Sequence, residues 1–123
     1  MKKRILVIED NEDICKLLHI RLENRGYDVT TAPDGQTGLE RATLGMPDLI
    51  ILDLFLPRLP GEEVCKAIRE HRNKAVSKIP IIMLTSKRSE VDRIIGMVIG
   101  ANAYMEKPFD PERLMEQIQR QLN

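Results

Sequence analysis

Aromatic residues are scarce in this 123-residue chain: 3% of it, as two Phe and two Tyr with no Trp. A site that stacks a flavin ring on aromatic side chains has almost nothing to build with. A glycine-rich turn after the first apolar run is missing too. Asn11-Glu12-Asp13 stands there, and its charges would repel a phosphate rather than cradle it. Both absences argue against a flavodoxin-type cofactor carrier. An excess of one charge is also lacking, since Lys+Arg and Asp+Glu are 19 each and the net charge is zero. The basic footprint of a nucleic-acid binder is absent, and no direct nucleic-acid contact is expected. No apolar run approaches the roughly 20 residues that cross a bilayer. The basic start, Met1 to Arg4, leads into an apolar run that Glu9-Asp10 closes too soon for a signal peptide. The two cysteines, Cys15 and Cys65, have no metal-ligand spacing and fall in helical patterns, so they read as reduced thiols. The expectation is a cytoplasmic chain with no membrane partner.

What remains is an ordinary apolar share, 42%, in a length that suits one domain over residues 1–123. Three apolar runs, Ile5 to Ile8, Leu49 to Leu52 and Ile81 to Leu84, are short, unalternating and closed by polar residues. Strands buried on both faces of a parallel sheet have this pattern. Weaker strands fit Asp28 to Ala32 and Ala101 to Met105. Helical periodicity lies between them. Asn11 to Arg25 places Ile14, Leu17, Leu18 and Leu22 on one face, with Gly26 at the C-cap position. Gln36 to Leu44 is stopped by Gly45, Gly61 to Arg72 carries Val64, Ala67 and Ile68, and Ser89 to Val98 carries Val91, Ile94, Ile95 and Val98. Asp110-Pro111-Glu112 starts the last helix, with an N-cap acid and proline at its first position. Leu114, Ile118 and Leu122 form that helix's apolar face. The pattern is α/β: a (βα)5, flavodoxin-like, doubly wound parallel sheet. Its strand order, 2-1-3-4-5, is taken from known folds of this kind.

The residues that end the strands carry the chemistry. Glu9-Asp10 follows the first, Asp53 the third, Thr85-Ser86 the fourth, and Lys107-Pro108 the fifth. In a parallel sheet all of these fall at the carboxyl edge, where strands one and three flank the switch point at which open α/β sheets bind ligands. Three carboxylates in one crevice repel each other, and a divalent cation resolves that. Mg²⁺ prefers hard oxygen ligands and keeps several waters; Asp10 and Asp53 would bind it directly and Glu9 through water. Lys107 adds a point cation and Thr85 a hydroxyl donor. The set suits phosphoryl transfer to Asp53. A carboxylate nucleophile needs no general base, and catalysis reduces to positioning and charge neutralisation of the transferring group.

The chain is identified at these residues as resembling the receiver domains of two-component response regulators, in register from end to end. Val7-Ile8-Glu9-Asp10 resembles their acidic-pair motif and the run Asp53 to Gly61 their phosphoacceptor loop. Leu84-Thr85-Ser86 resembles their switch motif and the run Gly100 to Phe109 their fifth-strand motif. The resemblance implies a phosphoacceptor Asp53, served by a histidine kinase or histidine phosphotransfer protein and acting on an output protein it does not name. It implies a non-enzyme that assists its own phosphorylation and dephosphorylation. It further implies Mg²⁺ bound by Asp10, Asp53 and the Phe55 backbone carbonyl, a conformational switch of Thr85 and Tyr104, and a cis bond between Lys107 and Pro108. Side chains at the positions of Phe55 and Lys87 influence water's approach to the phosphoryl group in this family, which implies slow self-dephosphorylation. Two departures stand out. Leu59-Pro60 replaces the usual methionine and small or acidic residue, affecting loop geometry more than chemistry. Asn102-Ala103 replaces acids that help build a dimer in the transcription-factor branch, which puts that dimer in doubt. Because the chain ends with the last helix, the expectation is a stand-alone or relay protein; a longer natural reading frame would overturn it.

Each motif also has a plainer reading. Glu9-Asp10 alone reads equally well as a solvated strand end, Asp53 as a cap of the following turn, Thr85-Ser86 as an N-cap pair, and Lys107 as an exposed lysine. Their coincidence at one sheet edge favours the joint reading. His19 and His71, the latter at the end of the third helix, read as surface residues, because a phosphohistidine needs an exposed helical bundle. Met97, Val98 and Ile99 fit core and partner surface equally. A phosphatase of the haloacid-dehalogenase kind would need a second aspartate where Phe55 stands. The remaining rival is a pseudo-receiver, an interaction module that works without phosphorylation; a phosphorylation assay separates the two.

Overall fold

The computed structural model describes residues 2–86, 94 and 99–123. Among them, strands β1 (Arg4–Ile8), β2 (Asp28–Ala32), β3 (Leu49–Leu52), β4 (Ile81–Thr85) and β5 (Ala103–Glu106) form one parallel sheet in the order β2-β1-β3-β4-β5. The helices are α1 (Glu12–Asn24), α2 (Gly35–Gly45), α3 (Gly61–Arg69), α4 (Lys74–Ser77) and α5 (Pro111–Leu122). The expected helix over Ser89 to Val98 lies outside the described residues except for Ile94, which is helical and exposed.

The unalternating strands are explained by two cores, one on each face. Leu6, Ile8, Ile50, Leu52, Ile81 and Met83 pack with Ala42 of α2, Val64, Cys65 and Ile68 of α3 and Val76 of α4. The intervening residues Ile5, Val7, Leu49, Ile51, Ile82 and Leu84 pack with Leu18 and Leu22 of α1 and Leu114, Met115 and Ile118 of α5. A strand residue thus finds apolar cover whichever way it points, and polar alternation has no place. Cys65 is buried and Cys15 half-buried, both as free thiols. No helix among the described residues is long and apolar enough to cross a membrane.

Helix starts follow local chemistry. Asn11, Asp34, Asn73 and Asp110 each accept a backbone N–H of their own helix's first turn, at 2.7 to 3.1 Å. Several ends depart from expectation because distant groups decide them. The second helix does not stop before Gly45. It runs through it, and Met46 takes the left-handed cap at φ +45. The Arg4 guanidinium binds the carbonyls of Gly45 and Met46 at 2.6 and 2.7 Å, which offsets the strain at Met46. The third helix ends at Arg69 rather than Arg72, so His71 lies in the turn beyond it. There its Nδ1 accepts the Asn73 N–H at 3.0 Å, and the separate short helix α4 begins. Arg69 itself is the cause: its guanidinium binds the carbonyls of Ser77, Ile79 and Gly100 and the side chain of Asn102, at 2.7 to 3.0 Å. The fifth strand starts at Ala103 rather than Ala101. Before it, Asn102 pairs with Ile81 through its own N–H and its side-chain oxygen, both at 2.8 Å. On α1 the buried stripe is narrower than expected: Leu18 and Leu22 are buried, whereas Leu17 is exposed, as is Ile20. His19 is half-buried beside Glu23 at 3.1 Å, and Ile99 packs half-buried on the core.

Candidate functional site

Strand register brings the candidate residues together. Ile8 pairs with Leu52, so Glu9 and Asp53 are the next residues on adjacent strands. Their backbones are locked in place: Glu9 N–H donates to the Ala32 carbonyl at 3.0 Å and Asp53 N–H to the Ile8 carbonyl at 3.1 Å. Thr85 pairs with Glu106, and Lys107 follows, its N–H donating to the Thr85 carbonyl at 2.8 Å. The peptide bond from Lys107 to Pro108 is cis.

The side chains form a tight polar group at the carboxyl edge. Carboxylate oxygens of Glu9, Asp10 and Asp53 all lie within 4.8 Å of one another. Glu9 and Asp53 are buried at 3% and 5% exposure, Thr85 is fully buried, and Asp10 faces solvent. Glu9 is therefore no solvated strand end. Lys107 Nζ reaches between the two buried acids, pairing with Glu9 and lying 3.2 Å from Asp53 Oδ2. Asp53 Oδ1 accepts the Phe55 N–H at 3.2 Å, and Glu9 Oε2 accepts the Asn11 N–H at 3.1 Å.

The electrostatics follow from burial. Desolvation pushes the Glu9 carboxyl up to about 7, and the nearby Asp53 charge adds to it; the Lys107 and Asn11 contacts pull the other way without cancelling it. Burial alone would lower the Lys107 ammonium, but its contacts with Glu9 and Asp53 outweigh that and raise it. When all three acids are ionised, three carboxylates face one ammonium, and two negative charges are left over. A divalent cation carries the opposite charge, and oxygen donors suit a hard ion such as Mg²⁺.

Tyr104 sits in β5 opposite Met83, two residues before the Glu106 that pairs with Thr85. It is half-buried against the core on the α2–α3 face and lines a surface cavity of about 520 Å³ with Met105, Phe109 and Arg113. The structure thus gathers Glu9, Asp10, Asp53 and Lys107, with Thr85 adjoining them through its backbone and Tyr104 apart. Lys87 lies outside the described residues. Two residues read from the sequence only as parts of a helix or a loop also support the site. Asn11 both caps α1 and donates to Glu9; its place directly after an acidic pair was the available signal. Gly61 closes the loop that Asp53 opens, donating its N–H to the Leu54 carbonyl at 2.9 Å; Pro60-Gly61 was the signal for that turn.

The family model described as "Response regulator receiver domain" matches residues 5–119. The chain belongs to that family. Among curated relatives, this receiver is 47% identical to the alkaline phosphatase synthesis transcriptional regulatory protein PhoP of Bacillus subtilis, over 93% of this chain and 46% of that protein. It is 39% identical to the response regulator ArlR of Staphylococcus saprophyticus, over 97% of this chain and 52% of that one. The receiver spans about half the length of these relatives. Among solved structures, the chemotaxis response regulator CheY4 of Vibrio cholerae is 34% identical and superposes with a TM-score of 0.90, covering 99% of this chain and all of that one.

Proposed function

We propose that this receiver is the phosphoacceptor switch of a two-component phosphorelay in the cytoplasm, taking a phosphoryl group on Asp53 from a histidine kinase or a histidine phosphotransfer protein. The observation that carries the reading is the setting of Asp53: a buried carboxylate 3.2 Å from the Lys107 ammonium, with carboxylate oxygens of Glu9 and Asp10 within 4.8 Å.

An Asp53 carboxylate oxygen attacks the donor's phosphorus. The new P–O bond forms as the P–N bond to the donor imidazole breaks, and the imidazole nitrogen keeps the electron pair. Asp10, Asp53 and the Phe55 carbonyl would hold Mg²⁺, with Glu9 assisting through water. Bound there, the ion would supply charge neutralisation for the transferring group. Lys107 and Thr85 each bind one of that group's oxygens. Lys107 leaves its carboxylate partners for the phosphoryl group, and Thr85 moves toward it, with Tyr104 turning inward as the second half of the switch. The same residues govern hydrolysis of the acyl phosphate, so the chain assists its own chemistry and acts on an output module or protein rather than on a metabolite.

The test is intact-mass spectrometry after incubation with acetyl phosphate, with and without Mg²⁺, on the wild type and Asp53→Asn. A Mg²⁺-dependent gain of one phosphoryl group, absent from Asp53→Asn, supports the reading. An adduct that persists in Asp53→Asn removes Asp53 from its role. No adduct from acetyl phosphate or from a phosphorylated histidine phosphotransfer protein turns the reading toward a phosphorylation-independent interaction module.

A further inference from the structure

The loop from Asp53 to Gly61 is held from outside as well as from within. At its exit, a Cβ on Gly61 would come within 2.7 Å of the Leu54 Cα, so the loop's start and end touch with no room for a side chain. Its middle leans on a different element. Gly35, the first residue of α2, donates its N–H to the Pro57 carbonyl at 3.3 Å. A Cβ on Gly35 would run into the Leu59 carbonyl, 2.7 Å from its carbon. Between those two contacts Arg58 takes φ +71, a left-handed conformation unfavourable for a residue with a side chain. Its guanidinium reaches back to the same helix start, 3.7 Å from Asp34 Oδ2 and 3.3 Å from Gln36 Oε1. Asp34 is buried at 6% exposure and fixed in turn, accepting the Thr37 N–H at 2.7 Å and its hydroxyl at 3.0 Å.

The geometry points to Asp34 and Gly35 as positioning residues for the phosphoacceptor loop: the start of α2 is an abutment that sets where the Phe55 carbonyl and the Asp53 carboxylate stand against Glu9 and Asp10. The inference rests on the functional reading above. Neither residue touches the acid cluster in sequence or by direct contact, and their influence passes through Pro57, Arg58 and Leu59. With α2 pinned by the Asp34 cap, added volume at position 35 is relieved by moving the loop. Mg²⁺ tolerates little departure from its coordination geometry, so a displaced loop binds it less well. Residues that orient metal ligands commonly act this way.

The experiment is calorimetric Mg²⁺ titration of the full chain as wild type, Gly35→Ala, Arg58→Ala and Leu44→Ala, with amide hydrogen exchange over Phe55 to Gly61. Leu44 is exposed near the far end of the same helix and serves as the control. Gly35→Ala is expected to bind Mg²⁺ roughly tenfold more weakly, the lower end of what second-layer partners contribute. Arg58→Ala should fall between it and the wild type, Leu44→Ala should match the wild type, and loop amides should exchange faster in the first two. If Gly35→Ala does not fold, Arg58→Ala decides by the same two readouts. Wild-type binding with equal affinity and exchange in both loop variants overturns the abutment and leaves the functional reading standing. A wild type that binds no Mg²⁺ overturns the functional reading and this inference with it.

Discussion

The Lys107 ammonium lies 3.2 Å from the Asp53 carboxylate and pairs on its other side with Glu9. One side chain from the end of β5 thus compensates two buried acids from the ends of β1 and β3. Removing one partner from such a group leaves charge buried without compensation, which costs more than the pair contributes when intact. Lys107→Met is therefore expected to lose about 3 kcal/mol of stability at pH 8 with divalent ions chelated, the low end for breaking a buried pair. Added Mg²⁺ should restore much of it, since the ion neutralises the same acids. Urea unfolding with chelator and with Mg²⁺ measures both; equal losses in the two conditions would detach Lys107 from the cation site.

Glu9 gives the stability a pH dependence of definite sign. Its folded-state value, about 7, lies above the ordinary 4.5, so the folded chain binds the extra proton between those limits. Its contribution is fully present below about 4.5 and is lost as pH rises through 7. With metal chelated, the chain should lose stability over that window, by a few kcal/mol at most. Glu9→Gln keeps an acceptor for Lys107 and Asn11 and should flatten the trend. Mg²⁺ binds only the ionised acids, so its affinity should rise over the same window. Urea midpoints between about pH 5 and pH 8 check the sign; a metal-free stability that rises with pH would contradict it.

Phe55 is half-exposed, two residues after Asp53, and its N–H donates to the Asp53 carboxylate. If Asp53 carries the phosphoryl group as proposed, a bulky apolar side chain at this position would hinder the water that hydrolyses the acyl phosphate. Phe55→Asn should shorten the lifetime of the phosphorylated form several-fold, read from the decay of the phosphorylated mass after the donor is removed. An unchanged decay rate would sink this account of the lifetime.

Arg69 separates stability from chemistry. It satisfies three carbonyls and Asn102 at the amino edge of the sheet, away from the acids. Hydrogen bonds to a charged group contribute about 1.5–3 kcal/mol each, but not additively. Arg69→Met should cost about 3 kcal/mol overall and leave Mg²⁺ affinity unchanged. Urea unfolding and Mg²⁺ titration of the same preparation test both halves; a large change in affinity would mean that the two sheet edges are coupled.

The sheet was legible in the sequence because burial on both faces writes unbroken runs such as Leu49 to Leu52, and the following residue then falls at the carboxyl edge whatever its identity. Glu9, Asp10 and Asp53 follow β1 and β3 in this way. That logic worked less well where an element's end depends on a residue far away in the chain. Met46 caps α2 because Arg4 holds its carbonyl, and α3 stops at Arg69 because that side chain serves carbonyls at 77, 79 and 100. Leu17 follows helical periodicity but faces solvent, since the sheet accepts only the stripe through Leu18 and Leu22. Gly35 was unreadable for the same reason. Its need for a bare backbone comes from Leu59, on a loop that approaches it only in the folded chain.

The central claim is that Asp53 itself carries the phosphoryl group, and borohydride trapping tests it most directly. Borohydride reduces an aspartyl phosphate to homoserine, and peptide mapping then locates the changed residue. After phosphorylation in the presence of Mg²⁺, the account predicts homoserine at position 53 and at no other aspartate, and none when Mg²⁺ is chelated. Homoserine at Asp10 or another acid, or a phosphorylated chain with Asp53 unreduced, would contradict it.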